Sequence, residues 1–262
     1  MIIAFWSVFP GMCGVSSNIM AAASYAATQI NTDSNDRVAL LQTQFKDSGL
    51  DFPMLGKGVL KDDFFGTGMD ALLTRAQASY LSQDDVFLMS ISMIDGKLLF
   101  YMGTKEKNSQ SYKRSMKRFQ HVMKGVDEYA HQVYIDVESG NTELAKQILP
   151  KADLAVINIC QNERVISCTL DEIEHLGLEN VVYLLGRYQP DSSLNINNLQ
   201  KMYRQMNRKL YAISFETEYM DANSNGSVQN YFTSKMNGNT VIEKQLQALY
   251  KRIMKENGRH ES

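Results

Sequence analysis

The sequence is poor in proline, in cysteine and in unbalanced charge. Four prolines in 262 residues leave no proline-rich linker, so composition nowhere divides the chain. The three cysteines, Cys13, Cys160 and Cys168, form no CxxC pair. That spacing supports neither a zinc site nor a disulfide framework, and a reducing, cytoplasmic compartment is expected. A formal net charge of -2 without a basic patch makes a nucleic-acid partner unexpected. No run approaches the ~20 apolar residues of a membrane helix. Residues 1–8 are apolar but lack a basic flank, and they read as a buried strand rather than a signal peptide. The histidines, His121, His131, His175 and His260, show no ligand spacing and neighbour no nucleophile. They are assigned no chemistry.

What is present is an alternation of short apolar runs and amphipathic segments. Residues 2–8 read as a strand, 16–30 as an alanine-rich helix and 38–45 as a second strand. The stretch 46–63 is irregular, with several glycines, and 69–81 has helical periodicity. Two strands, 86–94 and 97–102, flank Asp95-Gly96, a hairpin signal. Residues 109–129 read as one long helix whose Lys113, Arg114, Lys117 and Arg118 form a solvated face. Strands are then expected at 132–137, 154–160, 181–185 and 210–214. Helices are expected at 142–149, 169–176, 196–206, 228–234 and 240–256, with a capping box between Thr169 and Glu172. This order implies right-handed crossovers and one α/β domain, its mostly parallel sheet covered by helices on both faces. Ligands of such sheets bind at the carboxyl ends of the strands. Three loops qualify here, 9–17, 42–46 and 136–141.

The first loop reads Phe9-Pro10-Gly11-Met12-Cys13-Gly14-Val15-Ser16-Ser17 between a strand and a helix. A phosphate loop of the form G-x-x-x-x-G-K-[ST] cradles phosphates with backbone amides, reaches them with lysine and holds Mg²⁺ with the hydroxyl. Gly14 and Ser16 fit the last glycine and the metal hydroxyl, whereas Val15 occupies the lysine position. Helix-start amides favour an anion there, and Ser16 and Ser17 equally suit helix capping. The third loop, Asp136-Val137-Glu138-Ser139-Gly140, ends a strand in D-x-x-x-G. An aspartate so placed can hold the water shell of a metal, and the glycine amide can sense a terminal phosphate.

Taken together, these segments resemble the ParA/MinD class of deviant Walker (SIMIBI) P-loop ATPases, and within it the TadZ/CpaE-like proteins of Tad (Flp) pilus loci. The family's loop K-G-G-x-G-K-[ST]-[ST] is similar to residues 10–17. Its second strand with the following N-L-D is similar to 40–44 and Gly49-Leu50-Asp51. Its D-x-P-x-G is similar to 136–140, its exit loop to 149–157, its N-R pair to Gly186-Arg187, and its late I-P stretch to 213–222 with Gly226. The resemblance implies a P-loop fold and a nucleotide site of Gly11, Met12, Cys13, Gly14, Val15, Ser16, Ser17, Asp136, Gly140 and Arg187. ATP or ADP with Mg²⁺ is the implied cofactor, the metal lying between Ser16 and Asp136.

Several family residues are missing. Pro10 and Val15 stand for the two lysines, Gln42 and Gln44 for the acidic pair, and Gly186 for the adenine-reading asparagine. Each lost charge-assisted contact forfeits roughly 1.5–3 kcal/mol, so ATP affinity falls by roughly a hundredfold to ten-thousandfold. A degenerate loop, a weak or absent ATPase and a localisation or assembly role in a Tad pilus or related secretion machine follow as expectations. The implied partners are proteins of that machine, a second copy in a homodimer and the inner face of the membrane. Two alternatives are an ATP-driven dimerising switch, with Arg187 or Lys151 replacing a lysine, and a DNA-partition protein. Residues 239–257 align Val241, Ile242, Leu246, Leu249, Tyr250, Ile253 and Met254 on one stripe, with Lys244, Lys251, Arg252 and Lys255 off it. Such a helix lies on an anionic membrane or docks on the sheet.

Overall fold

The computed structural model describes residues 1–45, 49–57, 66–78, 80–234 and 239–260, the last four by their backbone alone. Among the described residues the strands are β1 (Ile2–Trp6), β2 (Val38–Gln42), β3 (Ile91–Met93), β4 (Leu98–Phe100), β5 (Gln132–Asp136), β6 (Leu154–Ile159), β7 (Val181–Tyr188) and β8 (Leu210–Ser214). They form one sheet in the order β3-β4-β2-β5-β1-β6-β7-β8. Every pairing is parallel except β3–β4. The helices are α1 (Val15–Thr28), α2 (Asp51–Leu55), α3 (Met69–Ala78), α4 (Gln83–Leu88), α5 (Ser109–Met116), α6 (Phe119–Asp127), α7 (Glu143–Ile148), α8 (Glu163–Leu176), α9 (Ile196–Met202), α10 (Thr217–Asn225), α11 (Val228–Ser234) and α12 (Val241–His260).

Alternation along the strands builds two cores. In β6, Leu154 and Val156 join the core that holds α1 and α12, while Ala155, Ile157 and Ile159 join the core that holds α6, α7 and α9. A strand buried on both faces has no polar side, which is why these strands read as unbroken apolar runs. The single domain, the parallel sheet and the two helical layers are as the sequence implies. The β3–β4 hairpin closes through Asp95 at φ 52° and Gly96 at φ 77°. Lys97 donates its backbone amide to the Ile94 carbonyl at 2.9 Å, a type I′ turn as the Asp-Gly pair predicts.

Several local expectations are overturned. Residues 86–94 are not one strand: 83–88 coil into α4, because Ser82 caps the Asp85 amide and the Asp85 carboxylate caps the Ser82 amide. The helix expected over 109–129 is two helices, broken at Lys117 and Arg118. Thr169 opens no helix. α8 starts six residues earlier, at Glu163 behind Asn162, and the Thr169 hydroxyl donates to the Val165 carbonyl at 2.6 Å within it. The short helices α2 and α10 were not anticipated. Residues 46–48 and 58–63 of the stretch expected to be irregular, and Ser79 of the helix expected over 69–81, lie outside the described residues. The stripe of α12 is occupied: Ile242, Leu246, Leu249 and Ile253 are buried in the core shared with α1. That face is therefore not free for a membrane. No described helix is long and apolar enough to cross one.

Candidate functional site

β1 delivers the chain at the carboxyl edge of the sheet, and the glycines turn it into α1. Gly11 (φ 74°) and Gly14 (φ 67°) both take the left-handed conformation that a side chain resists. Gly14 is itself the N-cap of α1, with no side-chain cap. The capping role expected as an alternative for Ser16 and Ser17 is therefore not taken up. The first backbone bond of the helix runs from the Asn18 amide to the Gly14 carbonyl at 2.9 Å. The amides of Val15, Ser16 and Ser17 precede it and have no intrahelical partner, the usual state of a helix start. They are available to an anion.

Beside this turn lies a cavity of about 520 Å³. The loop and α1 line it with Pro10, Gly11, Gly14, Val15, Ser16 and Ser17. Gln44, Glu138, Ser139 and Arg187 come from strand ends, and Met220 and Asn223 from α10. Ser16 Oγ donates to Asp136 Oδ2 at 3.4 Å, and Gln44 Nε2 donates to Asp136 Oδ1 at 3.4 Å. Asp136 is fully buried. Burial raises its pKa to about 7, against the lowering pull of the Gln44 and Ser16 bonds. A buried carboxylate next to a hydroxyl is an all-oxygen donor pair, which suits Mg²⁺ completed by waters and phosphate. The residues present fit that cofactor.

Arg187 enters this cavity by an unusual route. The β7–β8 register shifts between Leu185 and Tyr188, and Arg187 stands at φ 52°. Bulges and left-handed non-glycine residues re-aim side chains near functional sites. The Arg187 Nε comes within 3.9 Å of where a Cβ on Gly14 would be. It is the one cation among the described residues that line the cavity. Lys151, the other candidate, ends the turn before β6 and so lies at the opposite, amino edge of the sheet.

The other predicted residues divide. Met12 is exposed and Cys13 buried. Gly140 is beside the loop, its ideal Cβ 3.9 Å from Pro10 Cγ, but its amide donates to the Ser7 carbonyl at 2.9 Å. Gln42 faces away: its Nε2 donates to Asp51 Oδ1 at 2.7 Å and to the Tyr101 carbonyl at 3.0 Å. Asp51 also accepts the Gly103 amide at 3.0 Å, so this pair ties loops together. Met220 and Asn223 were missed as lining residues. The similarity of 213–222 to the late family stretch was the available signal, but it carries no helical period.

No protein-family model matches the sequence, and no curated protein matches it. Solved structures do. A ParA family ATPase from Chlorobium tepidum superposes with a TM-score of 0.72 at 13% identity, over 95% of this chain and 98% of that one. A putative plasmid partition protein from Borrelia burgdorferi, bound to AMPPNP, gives 0.64 at 12% identity over 97% and 98%. MinD in the MinC:MinD cell division complex of Aquifex aeolicus gives 0.70 at 11% identity over 97% and 96%. The parallel sheet, the glycine turn into α1 and these superpositions together show that the chain has the fold of the ParA/MinD-type P-loop ATPases.

Proposed function

We propose that this protein binds ATP or ADP with Mg²⁺ in the cavity at the glycine turn, turns it over weakly or not at all, and acts through protein partners. The observation that carries the reading is the contact between Ser16 Oγ and Asp136 Oδ2 at 3.4 Å, at the foot of a helix start with uncapped amides. When bound, the metal would neutralise phosphate charge and orient the terminal phosphate. Ser16 and Asp136 would hold it, directly and through water. The amides of residues 12–17 would take phosphate oxygens, and Arg187 would offer a planar, bidentate charge where both lysines are absent. The AMPPNP held by the similar Borrelia protein supports a nucleotide as the ligand.

Weak turnover follows from the neutral residues that stand where the family has its acidic pair. Gln44 is a neutral amide that cannot take a proton from water, and Gln42 points elsewhere. Phosphoryl transfer needs positioned positive charge and an oriented nucleophile. Here Arg187 stands in for the first, and the second falls to Glu138, the one carboxylate among the described residues that line the cavity.

An interaction role then remains. The motif resemblance supports a localisation or assembly factor for a Tad pilus or related secretion machine, placed at the inner face of the membrane by its partners. The MinC:MinD assembly shows a protein of this fold working with a partner protein. Exposed Met12 on the loop suits a homodimer contact. Arg187 in the cavity favours a second reading, a nucleotide-driven dimerising switch.

Titration calorimetry with ATP and Mg²⁺ tests the site. Micromolar-range binding that Arg187→Ala weakens, with little phosphate release, supports the first reading. Val15→Lys should tighten binding about tenfold or more, the worth of one charge-assisted bond. Absence of ATP binding in both the native protein and Val15→Lys overturns the nucleotide site. Turnover matching a lysine-bearing relative would favour the switch.

A further inference from the structure

The loop cysteine has a neighbour that the nucleotide reading does not use. Along β6, Leu154 and Val156 face the α1 side of the sheet, so alternation puts Asn158 on that side too. Asn158 Oδ1 accepts from Asn18 Nδ2 at 2.7 Å, and the same Nδ2 donates to the Cys13 carbonyl at 3.3 Å. Cys160 directly follows β6, where the Ile159–Leu185 register sets it beside Gly186; a Cβ on Gly186 would stand 2.4 Å from the Cys13 carbonyl, so the two cysteines are neighbours at the glycine turn. Cys13 is buried and Cys160 partly exposed, while Cys168 is elsewhere, on α8.

We propose that Cys13 and Cys160 form a reversible disulfide, driven by a hydroperoxide, that pins the glycine turn to the end of β6. The roles are set by access and acidity. Cys160 is the partly open thiol, and its pKa is lowered by the bond from Cys13. The Cys13 pKa is raised by the same bond and by burial. A thiolate at Cys160 attacks the peroxide, the O–O bond breaks, and the leaving alkoxide or hydroxide takes up a proton. The resulting sulfenic acid is attacked by Cys13 Sγ. The S–S bond forms, the S–O bond breaks, and the departing hydroxide leaves as water with the Cys13 proton. Two thiols lose two electrons and one peroxide gains them. A dithiol reverses the step by exchange and itself becomes a disulfide.

A bonded sulfur pair is much shorter than two thiols in contact. Closing it draws residue 13 toward β6 and moves the amides of Met12 and Gly14, so ATP affinity is expected to drop about tenfold. That consequence rests on the nucleotide reading; the bridge does not.

The test treats the reduced full-length protein with stoichiometric hydrogen peroxide, blocks free thiols under denaturing conditions and maps the digest by mass. The expected product is a Cys13–Cys160 linked peptide, with Cys168 alkylated, that disappears with dithiothreitol and is absent from Cys160→Ser. Recovery of Cys13 as a free thiol while Cys160 is over-oxidised, or a Cys160–Cys168 bridge, overturns the proposal. The native protein decides this even if the serine variant fails to fold. Titrating ATP into both forms separates the two readings: a mapped bridge without ATP binding in either form upholds the disulfide and removes the nucleotide site.

Discussion

Gly186 of β7 lies against the Cys13 carbonyl so closely that a Cβ at position 186 would stand 2.4 Å from that oxygen and 2.7 Å from Asn18 Nδ2. Nothing larger than hydrogen fits between strand and loop. The resemblance puts an adenine-reading asparagine here, and the packing shows why this chain has none. Gly186→Ala is expected to destabilise the protein by about 1–3 kcal/mol through overpacking and to weaken ATP binding, because the loop must lift. Denaturant melts and calorimetry measure both. An unchanged midpoint would show that the loop yields freely.

Arg187 combines strain with charge. A non-glycine residue at φ 52° costs on the order of 1 kcal/mol or more. Arg187→Gly should therefore raise the melting temperature while weakening ATP binding roughly 10- to 100-fold. Arg187→Ala should weaken binding equally without the gain in stability. If both variants bind ATP as the native protein does, the arginine has no phosphate to hold.

Asp136 makes stability depend on pH in a direction opposite to that of most carboxylates. Its pKa is raised to about 7 by burial, so between the unfolded value near ~4 and that point the folded state holds the extra proton. Stability should fall as pH rises through this window, by on the order of 1–4 kcal/mol. Asp136→Asn should flatten the slope, whatever it does to the absolute midpoint. Binding of Mg²⁺ and ATP near pH ~6.5 should release a proton, seen as a heat that varies with the ionisation enthalpy of the buffer.

The apolar stripe of α12 is core. Leu246→Ala should cost about 2–5 kcal/mol, readable by thermal melt. A midpoint shift near zero, with loss of vesicle binding instead, would restore the membrane reading of this helix.

How far the sequence revealed this molecule depends on which forces decided each part. β1, the glycine turn and α1 were legible because chain geometry alone dictates them: an apolar run, glycines at positive φ and an alanine-rich helix. The Ser16–Asp136 pair was legible because each residue sits at a fixed point in a motif. The break between α5 and α6 was not. Tyr112, Met116, Phe119, Val122 and Val126 are all buried at spacings of three or four, so the helical period runs through the break without a signal. In 86–94, apolar content suggested a strand, but the Ser82–Asp85 cap outweighed it. Thr169 carried a capping pattern that was spent inside a helix already begun by Asn162. The aim of Arg187 depends on a register shift between two strands, which no single segment encodes.

A contact between two glycines braces one wall of the cavity. Gly226, just past α10, meets Gly56, just past α2, so closely that a Cβ at 226 would be 2.4 Å from Gly56 Cα. Two bare backbones touching in this way act like meshed teeth: neither slips without dragging the other. α10 carries Met220 and Asn223 along one wall, and α2 opens with Asp51, which holds Gln42 and Gly103. The wall formed by α10 is thus braced by α2 and, through Asp51, by the residue that ends β2 and by Gly103 just past β4.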